Sequence, residues 1–151
     1  MVLKRTTLIM TGLLPLFIGY IINHLMMTVW LYSFPGGILM AAGLGIVALW
    51  FFAGAFSAKF FASNREAVLT LNAAAILVAA VMLLQPLVLG HIGGVIGMTA
   101  QFFYLPLMRP AFALMALLPL PVAGMAMTTL ISLGYLILAS FLGVRWGRSR
   151  V

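Results

Sequence analysis

The stretch GHIGGVIGMTAQFFYLPLMRPAF, residues 90–112, decides how many times this chain crosses a membrane. It contains one His, one Gln, one Tyr and one Arg in otherwise apolar surroundings, and longer apolar runs flank it on both sides. A single span formed by residues 91–121 would carry Pro106, Arg109 and Pro110 near its middle. An Arg at the centre of a span costs about 2.5–3.5 kcal/mol on insertion scales. This cost favours an interfacial or re-entrant segment over a simple span.

The composition outside this stretch is that of an integral membrane protein. Hydrophobic residues make up 66% of the chain, charged residues make up 6%, and the mean hydropathy is +1.27. A soluble domain carries about 25% charged residues. Because so few charges cannot cover the surface of a soluble domain, the lipid bilayer must solvate most of this chain. We therefore predict an all-α integral membrane protein.

The positions of the charges divide the chain into spans. Residues 6–58, 67–108 and 110–144 contain no Asp, Glu, Lys or Arg, and one spanning helix needs about 20 apolar residues. The first segment fits two spans with a turn, and each of the others fits one span with a remainder. We predict a four-transmembrane-helix bundle in one membrane domain, residues 1–151, with spans at about 7–30, 37–57, 67–89 and 122–143.

The basic residues predict the orientation. Seven of them lie near the N-terminus, in the 58–66 loop or near the C-terminus: Lys4, Arg5, Lys59, Arg65, Arg145, Arg148 and Arg150. Cytoplasmic loops are enriched in Lys and Arg, so we expect a multi-pass inner-membrane protein with both termini in the cytoplasm. One additional span within residues 91–121 would move the C-terminal arginines outside. We therefore expect 91–121 to be an apolar extracytoplasmic or re-entrant segment, with two short further spans as the alternative.

Local signals predict further details of these helices. Pro15 should kink the first span, because proline lacks an amide hydrogen. Ser63 or Asn64 should cap the helix that follows the 58–66 loop, with Glu66 in its first turn. Small residues let transmembrane helices approach closely, and they share one face on two spans. These are Ala41, Gly45, Ala48 and Ala55 on the second span, and Asn72, Ala75 and Ala79 on the third.

Polar residues within the apolar segments are the candidate site, because intramembrane polar side chains are candidates for function. Under the predicted topology they all fall in the extracytoplasmic half, where they could line one ligand-binding site. They are Tyr20, Asn23, His24, Gln85, His91, Gln101, Tyr104 and Arg109. The alternative is that the uncharged residues join helices by hydrogen bonds and that Arg109 extends to lipid phosphate.

The residue inventory excludes several classes of function. The chain has no Cys, no Asp and one Glu, which removes paired-carboxylate catalysis, Ser-His-Asp triads and thiolate metal sites. We predict no metal site and no cofactor. The alternative is a b-type haem with His24 and His91 as axial ligands. Nucleic acid is not an expected partner, because the positive charges flank apolar runs and form no basic patch on a folded surface.

The function expected from these features is that of a binding, transport or accessory subunit without catalysis of its own. The alternative is a membrane enzyme or haem protein that uses the outer polar cluster. The expected partners are the lipid bilayer and its anionic head groups, together with other membrane subunits or further copies of the chain.

Overall fold

The fold is all-helical over the residues that the computed structural model describes, which are 2–29, 36–89, 94–117 and 124–150, and this part of the chain contains no strand. Its elements in chain order are α1 (Val2–Gly12), α2 (Leu14–Thr28), α3 (Gly36–Ser57), α4 (Asn64–Leu71), α5 (Ala73–Leu89), α6 (Gly94–Tyr104), a 3-10 turn (Leu105–Leu107), α7 (Met108–Leu117) and α8 (Met125–Arg148).

Four helical stretches in the described residues are long and apolar enough to cross a membrane, which makes the chain a multi-pass membrane protein. They are Thr6–Thr28, Gly36–Ser57, Gly97–Leu117 and Met125–Arg148. The first two match the predicted spans closely, and the last extends further toward the C-terminus than the predicted 122–143.

The other two segments differ from the expected arrangement. The predicted third span, residues 67–89, belongs to the bent pair Asn64–Leu71 and Ala73–Gln85, whose axes differ by 57°. The 91–121 segment contains the stretch Gly97–Leu117, which is long enough to span a membrane. Among the described residues of this segment, the α-helix is interrupted at the 3-10 turn Leu105–Leu107. Pro110 does not interrupt this stretch, because it lies in the first turn of α7, where backbone N–H groups have no intrahelical acceptor.

The local helix signals lie where the sequence places them. Ser63 caps α4, and its hydroxyl accepts a hydrogen bond from the Glu66 backbone N–H over 3.1 Å. Pro15 lies in the first turn of α2, immediately after the break at Leu13 that separates α1 from α2. The predicted cap is therefore confirmed, and the expected kink takes the form of a break just before the proline.

Helices α3 and α8 pack side by side and run in the same direction. A Cβ at Gly54 would meet Ser140, and one at Gly147 would meet Ala55, so later residues of α8 contact later residues of α3. Arg148 donates a hydrogen bond to the Phe61 carbonyl oxygen over 2.9 Å. We call this end of the molecule, where α3 and α8 finish, the base. The end where both helices begin is the far end.

The start of the chain also lies at the base. Thr7 and Thr11 of α1 line a groove together with Phe56 and Phe60, which belong to the end of α3 and the residues after it. Helix α2 therefore rises away from the base while α3 returns to it. The described residues near both chain ends lie at the same end of the molecule.

Glycines permit the closest helix contact. A Cβ at Gly143 would lie 1.9 Å from the Phe51 carbonyl oxygen, and one at Gly147 would lie 2.4 Å from the Ala55 carbonyl oxygen. Residues 143–147 read GVRWG, a GxxxG motif that lets helix backbones approach. Of the face predicted for α3, Ala55 makes this contact but Gly45 does not, because a Cβ at Gly45 would meet nothing within 4 Å. The expectation for Gly45 is wrong, because the packed face of α3 contains Gly43, Trp50 and Gly54 instead.

Candidate functional site

The break inside residues 94–117 is the feature around which a site can form. Tyr104 precedes the 3-10 turn Leu105–Leu107, and both Phe103 and Leu107 are fully buried in the core. Helix α6 packs against α2 and α5, whereas α7 packs against α3 and α8. The break therefore lies where most of the long helices meet, and the first side chain of α7 with a charge is Arg109.

The side chain of Arg109 reaches toward the far end, where its guanidinium lies next to the start of α3. A Cβ at Gly36 would come 3.2 Å from a guanidinium nitrogen of Arg109 and 3.3 Å from its Cζ. The absence of a side chain at Gly36 thus leaves room for the guanidinium. A crevice of about 400 Å³ adjoins it, lined by Leu39, Leu105, Met108, Arg109 and Phe112.

The electrostatics of this crevice are simple. Arg109 supplies the one charge among its lining residues, and the others are apolar. A guanidinium carries five N–H donors in a planar fork that suits carboxylate or phosphate oxygens. The crevice can therefore hold a group with an anionic end and an apolar body.

Tyr104 is used for structure. Its side chain is 2% exposed, and its hydroxyl donates to the Ala75 carbonyl oxygen over 2.6 Å. This bond joins α6 to the first turn of α5. The tyrosine that the sequence offers as a ligand-binding residue thus points into the helix packing and away from the Arg109 crevice.

The remaining predicted residues are distributed over several surfaces. Tyr20 is 60% exposed and meets Phe102 edge-on, with 6.2 Å between the ring centroids. Asn23, Gln85 and Gln101 are half-buried. Of the eight candidates, Arg109 alone is among the described residues that line the crevice.

Of the two histidines considered as haem ligands, His24 lies in the described residues. His24 is exposed on α2, and its carbonyl oxygen accepts a hydrogen bond from the Thr28 hydroxyl over 2.8 Å. His91 lies outside the described residues. Within the described ranges, no three His, Cys, Asp or Glu side chains come together as a metal site would require.

The buried polar cluster that joins α3, α5 and α8 was not anticipated from the sequence. The Trp50 indole N–H donates to Asn72 Oδ1 over 3.0 Å, and Asn72 Nδ2 donates to Ser140 Oγ over 2.8 Å and to the Val68 carbonyl oxygen over 2.9 Å. Trp50, Asn72 and Ser140 are each 0% exposed. The position of Asn72 within an apolar run could have indicated a buried polar residue. It could not have identified Trp50 and Ser140 as partners, because both are distant from Asn72 in sequence.

This cluster is suited to structure more than to chemistry. Asn72 lies at the junction of α4 and α5, where a helix break leaves backbone groups without regular partners. Its side chain serves one of them, the Val68 carbonyl oxygen, and ties the junction to two other helices. Neither the indole nor the amide supplies a nucleophile or a titratable group, so the bonds hold the bend in place.

No family model, no curated protein and no solved structure matches this chain.

Proposed function

We propose that this chain is a small inner-membrane protein that serves as a binding, transport or accessory subunit without catalysis of its own. The observation that carries the proposal is the placement of Arg109. It lies beside an apolar crevice of about 400 Å³, at a helix break where α7 meets α3. Intramembrane charges next to broken helices are typical of sites that bind a partner or ligand.

The orientation in the proposal has both termini in the cytoplasm. Support comes from the shared position of the chain ends at the base, which requires an even number of crossings. Seven of the eight Lys and Arg residues lie near the N-terminus, in the 58–66 loop, or at the end of α8 and just after it. Concentration of basic residues on one side is the signature of a cytoplasmic face.

We further propose a re-entrant arrangement for α6 and α7, with the 3-10 turn Leu105–Leu107 as its turning point. Helices α3 and α8 run in the same direction, so the chain between them must make one net crossing back to the far end. Helix α7 rises toward that end, because Pro110 in its first turn lies against Gly43, inside α3, whereas Met115 Sδ contacts the Thr128 hydroxyl near the start of α8 at 3.8 Å. The five steps from Leu89 to Gly94 reach at most about 18 Å, so α6 begins close to the end of α5.

The occupant of the crevice follows from its chemistry. An anionic group at Arg109, with an apolar body against Leu39 and Phe112, would satisfy both parts of the lining. A carboxylate or phosphate on a small molecule and an acidic side chain on another membrane subunit both fit this description. These two occupants correspond to the transport and the accessory roles.

In-cell photocrosslinking tests the accessory role. A photoreactive amino acid replaces Phe112, which is 43% exposed in the crevice, and a matched control replaces Phe141, which is 39% exposed near the base. The expected result is an adduct of discrete protein mass at position 112 and none at 141, lost when Arg109 is also changed to Gln.

Flux measurements in proteoliposomes test the transport role. An anion-sensitive dye should report chloride or phosphate movement that Arg109→Gln abolishes and Arg109→Lys reduces, because Lys supplies a point charge without the planar fork. The proposal fails if position 112 gives no discrete adduct and the reconstituted protein moves neither anion.

A further inference from the structure

The base of the molecule collects cations around two adjoining cavities. One cavity, of about 290 Å³, is lined by Phe52, Ala55, Phe56, Lys59, Trp146, Gly147 and Arg150. The other, of about 710 Å³, is lined by Ala58, Lys59, Phe61, Gly147 and Arg148. Lys59 and Gly147 belong to both, so the two cavities meet between the end of α3 and the end of α8.

The close contact of α3 and α8 brings these charges together. Because Gly147 has no side chain, its backbone packs against Ala55. The residues that follow Ala55 and those that follow Gly147 therefore lie close to one another. Lys59, Arg148 and Arg150 are thereby placed around one opening, although α3 and α8 are far apart in sequence.

Neighbouring groups orient the two arginines. The Arg150 Cζ lies 4.1 Å from the centroid of the Trp146 ring, within the range of a cation–π interaction. Arg148 donates one N–H to the Phe61 carbonyl oxygen. Since a guanidinium has five N–H donors, both arginines keep donors for an anion.

The chain itself cannot neutralise this cluster. It has eight Lys and Arg residues against one acidic residue, Glu66. A single carboxylate side chain can balance one cation, so acidic side chains leave most of the charge at the base for other anions to balance.

An apolar groove leads away from the cationic cavities along the side of α3. Its volume is about 470 Å³, and its lining is Thr7, Leu8, Thr11, Leu49, Phe52, Ala53, Phe56 and Phe60. Phe52 and Phe56, each 60% exposed, line both this groove and the smaller cationic cavity. An anionic head and an apolar tail are thus accommodated side by side.

We infer that the base binds one phospholipid with an anionic head group, whose phosphate contacts Lys59, Arg148 and Arg150 and whose acyl chain follows the groove past Phe52 and Phe56. A free phosphate would use the cations but would leave the groove without an occupant. The head group would lie at the level where basic and aromatic side chains meet a membrane surface. This inference is independent of the Arg109 crevice, which lies at the far end.

Native mass spectrometry of the purified full chain provides the test, with phosphatidylglycerol as the probe and phosphatidylcholine as the zwitterionic control. The double variant Lys59→Gln/Arg150→Gln should weaken phosphatidylglycerol binding about 25-fold, since each basic residue near an anionic surface contributes roughly a factor of five. The matched control is Arg65→Gln/Arg145→Gln, which removes the same charge. Arg145 lies over Phe141, with 5.8 Å from Cζ to the ring centroid, and lines neither cavity. This control should bind like the unmodified chain.

A second pair of variants tests the apolar part of the site without changing charge. Phe56→Ser should weaken binding of phosphatidylglycerol, whereas Leu44→Ser should not, because Leu44 is similarly exposed on α3 but does not line the groove. Both residues face outward, so both variants should fold.

Four outcomes would overturn the inference. Equal losses in the two charge-matched double variants would show a response to net charge alone. Equal binding of phosphatidylcholine would show ordinary boundary lipid, and equal binding of glycerol 3-phosphate, which has no acyl chain, would show a site for free anions. Unchanged binding by Phe56→Ser would remove the acyl chain from the site.

Discussion

Trp50 donates its indole N–H to the side-chain oxygen of Asn72 over 3.0 Å, and both side chains are completely buried. Trp50 belongs to α3 and Asn72 lies at the junction of α4 and α5, from which its side chain also reaches Ser140 on α8. In an apolar interior the alternative to each of these bonds is an unsatisfied polar group. These hydrogen bonds therefore hold the bend between α4 and α5 against α3 and α8, and removing one partner leaves the other buried and unsatisfied.

Asn72→Leu should destabilise the protein by about 1–3 kcal/mol, because it leaves the Trp50 N–H buried without an acceptor. Denaturant-induced unfolding in detergent micelles measures the change. Adding Trp50→Phe to Asn72→Leu should cost less than the sum of the two single changes, with a coupling of about 0.5–3 kcal/mol. Strictly additive effects would mean that the bond contributes nothing to stability.

Gly143→Ala should destabilise the protein by about 1–3 kcal/mol, the usual cost of overpacking. The new Cβ would lie 1.9 Å from the Phe51 carbonyl oxygen, so the two backbones would have to separate. The matched control on the same helix is Gly134→Ala, whose Cβ would meet nothing within 4 Å and which should be neutral or slightly stabilising. Thermal melting in detergent compares them, and equal melting points would contradict the packing of α3 on α8.

Tyr104→Phe should lower the free energy of unfolding by about 1 kcal/mol through loss of the hydrogen bond to Ala75. Tyr20→Phe is the control, because Tyr20 is 60% exposed and the change removes the same atom. The two variants should therefore differ in melting temperature, with Tyr20→Phe like the unmodified chain. A silent Tyr104→Phe would show that α6 is not held to α5 in this way.

Reporter fusions should place both the 58–66 loop and the C-terminus in the cytoplasm. A reporter that is active only in the cytoplasm should work when fused after Ala62 or after Val151, and a reporter that is active only outside should work after Ser33. Activity of the external reporter at Val151 would mean an odd number of crossings. The shared position of the chain ends at the base would then not describe the protein in the membrane.

Composition and charge spacing were sufficient to predict the class of the protein and most of its helices. Long segments without Asp, Glu, Lys or Arg can be solvated only by lipid, and their lengths gave the spans that contain α2, α3 and α8. The Ser63 cap was equally accessible, because a cap depends on residues three positions apart. The GVRWG motif at 143–147 was a further local signal, and it would have located the packed face of α8.

The tertiary structure alone decided which polar and small residues are used, and for what. Tyr104 and Arg109 are both polar residues of one apolar segment in the sequence. In the structure Tyr104 forms a hydrogen bond with α5, whereas Arg109 lines a crevice. Gly45 and Gly54 are both small residues of α3, yet only Gly54 meets another helix. A spanning helix is apolar on every face, so periodicity cannot show which face is turned inward; that choice is made by shape and hydrogen bonding between helices that are distant in sequence.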